Sequence, residues 1–289
     1  MCGIYGAHNL SLNHDAAQQA LRHRGCDATN TYDDELILTH HLHAVNNHVE
    51  QPFSQPLFAT NCEIYNADSL GDGANDAAKL HDHLGTTVTT DKLDELDGVY
   101  AFAHASETTI TLARDILGVK PLWYYHGDDG LAFASERKAL LKAGLPADTI
   151  SELHPRHILR YDTETHELQR QHRGFDLITQ DETLTDEDDA ADAALHALRS
   201  AVEKRIPPSQ NVALLFSGGI DSAIIARLLD EHGADITPYY AGVPGSDEEQ
   251  KARRAADDLG LDLTTQHVNV DGRVEDVAAL IAATHSVQL

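Results

Sequence analysis

The alternation of apolar runs and helical patterns after residue 210 constrains the fold of this 289-residue chain more than any other feature. NVALLF (211–216) favours a buried strand, and the turn SGGIDS leads from it into the helical pattern AIIARLLDEHG. A strand pattern ITPYYAGV, a helix from Asp247 to Gly260 and a strand pattern LTTQHV follow. This order of strands and helices predicts an α/β domain around a parallel, doubly wound sheet.

Residues 1–175 show a different pattern, in which short apolar or β-prone runs are separated by turn residues. The runs are ELILTHHLHAV, FATNCEIYNA, DGVYAFAHA, TITLARD and LAFASE. One helix is expected in DAAQQALRHRG, with Gly25 as its C-cap, and a second in NDAAKLHDHLG, between an Asn75 N-cap and Gly85. The pattern predicts a strand-rich domain with some helix.

An acidic segment, TQDETLTDEDDA (179–190), separates the two patterns. It is either a linker or the acidic first turn of a helix, and an amphipathic helix is expected from Asp189 to Ile206. The length suits two domains with separate cores. We predict domains at residues 1–178 and 191–289, joined by a linker at 179–190.

Charge excludes two classes of partner. The chain has 47 acidic and 21 basic residues, a formal net charge of −26, and only seven lysines. Such a surface repels nucleic acid and anionic membrane. The charge favours a salt-rich cytoplasm, where screening removes the self-repulsion, with an ordinary acidic protein as the alternative.

No hydrophobic segment suggests a membrane or secreted protein. No run approaches the roughly 18 apolar residues of a transmembrane helix. MCGIYGAHN lacks the basic and long apolar segments of a signal peptide. We therefore expect a cytoplasmic protein.

Cysteine and histidine spacing does not indicate a metal site. Cys2, Cys26 and Cys62 are far apart and form no CxxC pair, which argues against structural zinc and a disulfide framework. The 19 histidines include no HExxH arrangement, and the adjacent His40 and His41 point to opposite faces of a strand. We interpret the histidines as scattered over the surface.

Cys2 is a candidate nucleophile because of its place in the chain. Removal of Met1 would leave a cysteine that carries both a thiol and a free α-amine. That amine titrates at about 7.7–8.0 and can act as the general base for its own side chain. An incidental cysteine is the alternative for this residue taken alone.

Six ordered motifs resolve that choice. They are MCGIYG, RHRGCD, NCEIYN, LDELDGVYAFA, RDILGVKPLWY and ASERKAL. Together they resemble the glutaminase domain of class II amidotransferases, in the asparagine synthetase branch. The resemblance covers most of residues 1–140 and implies an α+β N-terminal-nucleophile hydrolase sandwich, with two antiparallel sheets between helical layers.

The resemblance also implies roles in glutamine hydrolysis. Cys2 would attack the side-chain amide, release ammonia and leave a γ-glutamyl thioester for water to hydrolyse, near the RHRG loop at Arg24 and Gly25. The side-chain amide of Asn61 and the backbone N–H of Cys62 would form the oxyanion hole. Glu63 and Asp76 would hold the α-ammonium. The expected glutamine-binding residues are His41, Leu42, Val45, Asn61, Glu63 and Asp76.

This chain departs from the family pattern at three places. Where the family grips the substrate carboxylate with an arginine, this chain has His41, which holds a carboxylate singly and only when protonated. Cys62 replaces a glycine, which requires a negative φ. Cys26 replaces the proline of the RHRGPD motif.

In the second domain, the glycine-rich turn SGGIDS opens a helix, where backbone N–H groups and the helix dipole favour phosphate. It lacks the GKS/T of a Walker A motif and resembles the PP-loop of ATP pyrophosphatases, so Asp221 would act through Mg²⁺. The expected ATP-binding residues are Leu215, Ser217, Gly218, Gly219, Asp221, Ser222 and Ala241.

The family's GEGxDE motif is absent before Leu289. We therefore expect an incomplete synthetase domain, from a fragment, a truncated gene, or a site completed by a second polypeptide or a homodimer.

The resemblance implies a glutamine-hydrolysing asparagine synthetase, in which ammonia reaches a β-aspartyl-AMP made from ATP and aspartate. Two alternatives stay open. One is a PP-loop amidotransferase that adenylates another acid, as β-lactam synthetase relatives do. The other is a non-catalytic paralogue that keeps only glutamine and nucleotide binding. We expect the 289-residue chain alone to hydrolyse glutamine, bind ATP weakly and make no asparagine.

Overall fold

The computed structural model describes residues 1–45, 47–128, 130–174 and 186–267. These residues divide into two compact units, residues 1–174 and residues 186–267. Residues 179–185 of the predicted linker and 268–289 of the predicted second domain lie outside the described residues. The exact domain boundaries therefore stay a prediction.

The first unit is rich in strands. They are β1 (Gly3–His8), β2 (Ala28–Asp33), β3 (Leu36–Leu42), β4 (Leu57–Ile64), β5 (Gly98–Ser106), β6 (Thr109–Arg114), β7 (Trp123–Gly127), β8 (Gly130–Ala134), β9 (Ser151–Glu152), β10 (His157–Asp162) and β11 (Leu168–His172). Its helices are α1 (His14–Leu21), α2 (Asp76–Leu84), α3 (Thr90–Asp94) and α4 (Arg137–Lys142), with 3₁₀ turns at Arg22–Arg24, Ala67–Ser69 and Ala147–Thr149. The five strands expected from the sequence are all present.

The strands form two antiparallel sheets. One has six strands in the order β2-β3-β1-β8-β7-β9, and the other has five in the order β11-β10-β6-β5-β4. β1, which begins one residue after Cys2, lies inside the six-stranded sheet between β3 and β8. This central position explains why all six residues of β1 are buried.

Three apolar clusters show how the layers pack. Ile4, Leu38, Ala59 and Phe133 belong to a cluster contributed by both sheets. A second cluster packs α1 and α4 against the six-stranded sheet, and a third packs α2 and α3 against the five-stranded sheet. Because successive residues of a strand face opposite sides, each sheet can bury both faces. The expected sandwich of antiparallel sheets between helices is confirmed.

The two expected helices of this unit end differently. α2 has the predicted caps, since the Asn75 side chain accepts from Ala78 N–H and Gly85 ends the helix with φ +56. α1 ends earlier than expected, and Gly25 is extended with φ −163 rather than a left-handed cap. Glycine is needed there because a Cβ would lie 2.5 Å from the backbone of Leu42. The expectation of a Gly25 C-cap was therefore wrong.

The second unit follows the predicted alternation of strands and helices. Its elements are α5 (Glu187–Glu203), β12 (Asn211–Leu215), α6 (Ile220–Glu231), β13 (Asp235–Gly242), α7 (Asp247–Leu259) and β14 (Thr264–His267). The strands are parallel in the order β12-β13-β14, with Leu215 opposite Tyr239. Phe216, Ala226 and Ala256 are buried together. The predicted parallel sheet is confirmed.

The described residues of the acidic segment, 186–190, belong to the start of α5 rather than to a linker. Asp186 caps the helix, and Glu187, Asp188 and Asp189 form its first turn. Residues 187–190 of the predicted linker are therefore helical, because carboxylates are favourable beside the positive end of a helix dipole. Among the described residues, no helix is long and apolar enough to cross a membrane.

Candidate active site

A cavity of about 250 Å³ opens beside the start of β1. This is slightly below the roughly 300–1,000 Å³ of typical small-molecule sites, so it suits a small polar metabolite. It brings together most of the residues predicted for the first domain: Cys2, Leu42, Val45, Asn61, Cys62, Glu63 and Asp76. These come from three strands or their ends and from the first turn of α2.

Two distant motifs hold the start of β1 in place. Buried Arg24 donates from Nε to the carbonyl oxygen of Cys2 (3.0 Å) and from Nη1 to the buried carboxylate of Glu136 (2.8 Å). Ser135 exchanges two hydrogen bonds with the backbone of Ile4, each of 2.9 Å. The RHRG and ASERK motifs thus fix the backbone that carries Cys2.

The thiol of Cys2 faces the end of β3. Its Sγ accepts a hydrogen bond from the backbone N–H of His43 at 3.4 Å. Burial raises the pKa of this thiol, and the His43 N–H opposes that rise to a smaller extent. Burial also lowers the pKa of the Met1 amine.

Asn61 presents an unused donor. The residue is 2% exposed, and its Nδ2 has no hydrogen-bond partner among the described residues. β4 holds it in place through its pairing with Ala101 on β5. A buried donor without a partner is costly, typically about 1–3 kcal/mol. A ligand oxygen in the cavity would satisfy it.

Asp76 supplies a half-buried carboxylate to the same cavity lining. It accepts from the backbone N–H groups of Ile64 (3.2 Å) and Ala77 (2.9 Å). Burial nevertheless raises its pKa, because desolvation outweighs these hydrogen bonds. A cationic ligand group would relieve that desolvation.

In the second unit, the turn after β12 has the geometry of a phosphate cradle. Gly218 has φ +67, and a Cβ there would lie 2.7 Å from Cα of Ala252 on α7. Gly219 begins α6 without a side-chain cap, and the Ser217 and Ser222 hydroxyls lie 3.3 Å apart. The Gly219 N–H donates to the Ser217 hydroxyl at 3.3 Å, and the positive end of the α6 dipole at this turn favours an anion.

The remaining predicted residues lie near this turn. Leu215 is 80% exposed at the carboxyl end of β12, and Ala241 is exposed near the end of β13. Asp221 is exposed in the first turn of α6. In a parallel sheet, the carboxyl edge of the strands is the usual place for ligands.

Comparison with known proteins gives the family of the chain. The family described as "Glutamine amidotransferase domain" matches residues 1–192, and the family described as "Asparagine synthase" matches residues 193–287. The chain belongs to the glutamine-hydrolysing asparagine synthetase family.

Relatives of the family agree with this assignment. A Methanocaldococcus jannaschii protein named as a glutamine-hydrolysing asparagine synthetase is 34% identical over 69% of this chain and 39% of its own length. Asparagine synthetase B (glutamine-hydrolysing) of Escherichia coli is 26% identical over 90% of this chain and 53% of its own. The chain therefore spans about half or less of the length of these relatives.

A solved structure supports the fold alone. Glutamine phosphoribosylpyrophosphate amidotransferase from B. subtilis, complexed with ADP and GMP, matches with a TM-score of 0.50 and 17% identity. The match covers 91% of this chain and 65% of that one. It agrees with the N-terminal-nucleophile sandwich.

The structure accommodates Cys62 as expected, but it does not place His41 in the cavity. Cys62 lies in extended β4, outside the non-glycine positions of positive φ, so its side chain is tolerated where the family has glycine. His41 does not line the cavity. It is 2% exposed, its Nδ1 lies 3.0 Å from the Thr29 hydroxyl of β2, and burial lowers its pKa. The lowered pKa favours the neutral imidazole, and His41 lies outside the lining of the cavity in which it was expected to bind the substrate carboxylate.

The expectation of surface histidines also needs correction. His8, His40, His41 and His104 are buried. Burial lowers the pKa of His40 to about 4, and its Nε2 bonds the carbonyl of Thr60 at 3.1 Å. Neutral imidazole can fill a core when one nitrogen finds a partner, a context that composition does not reveal.

Three lining or supporting residues were missed in the sequence. His43 bonds Cys2 through its backbone, Lys120 lines the cavity, and Glu136 anchors Arg24. Lys120 and Glu136 stand inside the motifs RDILGVKPLWY and ASERKAL. The motifs were visible, but only the packing of the two sheets shows which of their side chains reach the site.

Proposed function

We propose that this chain hydrolyses glutamine at Cys2 and passes the ammonia to an acid activated by ATP, as a glutamine-hydrolysing asparagine synthetase. One observation carries the first half: Cys2, the unpartnered amide of Asn61 and the carboxylate of Asp76 line one cavity. Nucleophile, oxyanion donor and ammonium partner are the three groups that amide hydrolysis of an amino acid needs.

The chemistry begins after removal of Met1. The α-amine then belongs to Cys2 and accepts the thiol proton, while sulfur attacks the amide carbon of glutamine. Asn61 Nδ2 donates to the oxyanion, with the backbone N–H of Cys62 as the second donor. The amine returns the proton to the leaving nitrogen, ammonia departs, and water hydrolyses the γ-glutamyl thioester to glutamate.

Substrate orientation comes from the acidic lining. Asp76, at the start of α2, and Glu63, on β4, attract the α-ammonium of glutamine. Leu42 and Val45 also line the cavity and would contact the aliphatic part of the substrate. Fixing the substrate by its amino-acid end places the amide at Cys2, a form of catalysis by orientation.

For the second half, we propose that ATP–Mg²⁺ binds at the SGGIDS turn. Ser217, Gly218, Gly219 and Ser222 would cradle the phosphates, and Asp221 would face Mg²⁺ through water. The close approach of Gly218 to α7 and the uncapped start of α6 support this fit. Leu215 and Ala241 would flank the adenine, and aspartate would be the acid adenylated before ammonia attacks it.

The net charge of −26 supports a further part of the proposal, a salt-rich cytoplasm as the working environment. The non-catalytic alternative is not favoured, because the cavity keeps nucleophile, oxyanion donor and carboxylates together.

The test follows ammonia from ¹⁵N-amide glutamine in the 289-residue protein. We expect glutamate and labelled ammonia in equal amounts, and ATP binding that requires Mg²⁺. Absence of glutamate release from protein shown by mass to lack Met1 would overturn the first half. ATP binding that is unchanged in Asp221→Asn and without Mg²⁺ would overturn the second.

A further inference from the structure

We infer that Lys120 binds the α-carboxylate of the substrate glutamine, in the role for which the expected His41 is out of place. This inference rests on the proposed glutaminase function and names the residue that completes its substrate site. Lys120 lines the cavity together with Cys2, Asn61 and Asp76, and only 9% of its surface is exposed.

A rigid loop holds Lys120 at this position. The buried carboxylate of Asp115 accepts from the backbone N–H groups of Val119 (2.8 Å) and Lys120 (2.9 Å). Arg114 donates to the carbonyl oxygens of Gly118 and Leu153 and pairs with Glu152. The loop therefore presents the lysine from a fixed backbone, which reduces the entropy lost on binding a ligand.

The ammonium of Lys120 has bonding capacity left for a ligand. Its nearest ion-pair partner among the described residues is Glu63, whose Oε2 lies 4.0 Å from Nζ and whose side chain is half exposed. A lysine ammonium has three donors, and charged groups are rarely buried without a close partner. A substrate carboxylate would provide that partner.

The Lys120 ammonium lies in the same cavity lining as Cys2. Burial chiefly lowers the pKa of the Met1 amine, and repulsion from Arg24 and Lys120 lowers it further. Arg24 is paired with Glu136 and does not line the cavity. Among the described residues, Lys120 is the lysine or arginine side chain that lines the cavity.

The histidines nearby are weaker candidates. His41 is turned to Thr29 and does not line the cavity. His43 lines it, but its ring lies 3.7 Å from Asp27 and its side chain is 47% exposed. A lysine also keeps its charge at neutral pH, where histidine is largely neutral.

The cavity would then sort the two charges of an amino acid. Asp76 and Glu63 take the α-ammonium, while Lys120 takes the α-carboxylate. Glu63 lies between these functions, since it is 4.0 Å from Nζ of Lys120. Such a site selects a zwitterion and places the side-chain amide toward Cys2.

The experiment compares Lys120→Met with wild type on two substrates. L-glutamine carries the α-carboxylate, and 4-aminobutanamide is the same molecule without it. For L-glutamine, we expect the KM of Lys120→Met to be about tenfold to a hundredfold above that of wild type, because a charge-assisted hydrogen bond is lost. Its kcat should stay within about threefold of the wild-type value. For 4-aminobutanamide, kcat/KM should be equal in the two proteins.

Two further variants control the result. Lys120→Arg keeps the charge and should recover most of the affinity for L-glutamine. Lys79→Met removes a lysine of α2 that pairs with Asp68 and does not line the cavity, and it should leave the kinetics with both substrates unchanged. Circular dichroism and thermal midpoints establish that each variant is folded.

Each outcome decides the inference. An unchanged KM for L-glutamine in Lys120→Met overturns it, and so does an equal loss of activity on both substrates, which indicates a structural lysine. Glutaminase activity of the wild type is measured before any variant is compared. If the wild type is inactive, the proposed function itself is rejected, which is a different result from the two above. For a Lys120→Met protein without measurable turnover, L-glutamine is titrated calorimetrically into Cys2→Ala with and without Lys120→Met. Weaker binding in the double variant supports the inference, and equal affinities reject it.

Discussion

The side chain of Arg24 donates a hydrogen bond from Nε to the carbonyl oxygen of Cys2 across 3.0 Å, while the same guanidinium pairs with Glu136. Cys2 is thus held through its backbone carbonyl, a contact that involves neither its thiol nor its N-terminal side. Removal of Met1 can proceed without disturbing these contacts, because they begin at the carbonyl of residue 2.

Cys2→Ala should abolish glutamine hydrolysis, and protein that retains Met1 should be equally inactive. The alanine removes the nucleophile, whereas Met1 occupies the amine that serves as its base. Cys26→Ala, at an exposed thiol, is the matched control and should keep most of the activity. Ammonia release measured for the four proteins checks this. Equal rates in wild type and Cys2→Ala would reject the assignment.

Asn61→Ala should lower kcat by about 10²–10³, as loss of one oxyanion donor does, with little change in KM. The buried Nδ2 of Asn61 has no partner among the described residues, so its donor is available for the oxyanion. Asn47 also lines the cavity, but its amide donates to Ala74 at 3.1 Å. Steady-state kinetics of Asn47→Ala should therefore stay near wild type, and a comparable loss there would contradict the role of Asn61.

Gly218→Ala should weaken ATP binding and destabilise the second unit. The residue has φ +67, and a Cβ would lie 2.7 Å from Cα of Ala252. Gly233 has φ +74 with open space around it, so Gly233→Ala carries only the conformational penalty, about 1 kcal/mol. Thermal unfolding and ATP titration of the two variants distinguish the effect of the contact between residue 218 and α7 from the effect of backbone strain at a positive φ. Equal effects on ATP binding would show that the contact with α7 is unimportant.

Glu249 should make stability depend on acid pH. Hydrogen bonds from Gly245, Arg253 and His267 lower its pKa to about 2 from an ordinary value near 4.5. The unfolded chain therefore binds the proton first, so the contribution is present above about pH 4.5 and is lost as pH falls toward 2.

The measurement for Glu249 is chemical unfolding in molar salt between pH 5 and pH 3. Wild type should lose more stability over this range than Glu249→Gln. Glu248→Gln, which changes the exposed neighbouring carboxylate, should follow wild type. Parallel pH profiles for wild type and Glu249→Gln would contradict the prediction.

Salt should stabilise the whole protein. With a net charge of −26, self-repulsion is strong at low ionic strength and is screened within about 3 Å at 1 M salt. We expect the thermal midpoint to rise substantially between dilute buffer and molar KCl. A flat midpoint would show that the acidity has no bearing on stability and would remove the support for a salt-rich environment.

Local chemistry was enough for the sequence to predict single elements. Asn75 and Gly85 bound α2 because each acts on backbone groups within a few residues. NVALLF and the following glycines specify a strand, turn and helix for the same reason. The wrong prediction for the end of α1 shows where local chemistry is insufficient. Glycine is required at position 25 because the backbone of Leu42, on a strand distant in sequence, lies close to it.

The sequence by itself determined the order of strands and helices, the parallel sheet of the second unit and the candidate nucleophile, because these depend on neighbours along the chain. Only the tertiary structure decided which side chains share a cavity. It brings Cys2, Asn61, Asp76 and Lys120 to one cavity and turns His41 away from it. Arg24 and Glu136, 112 residues apart, meet for the same reason. Which side chains meet across a sandwich depends on sheet order and strand register, and those are set by burial of the whole core rather than by any local motif.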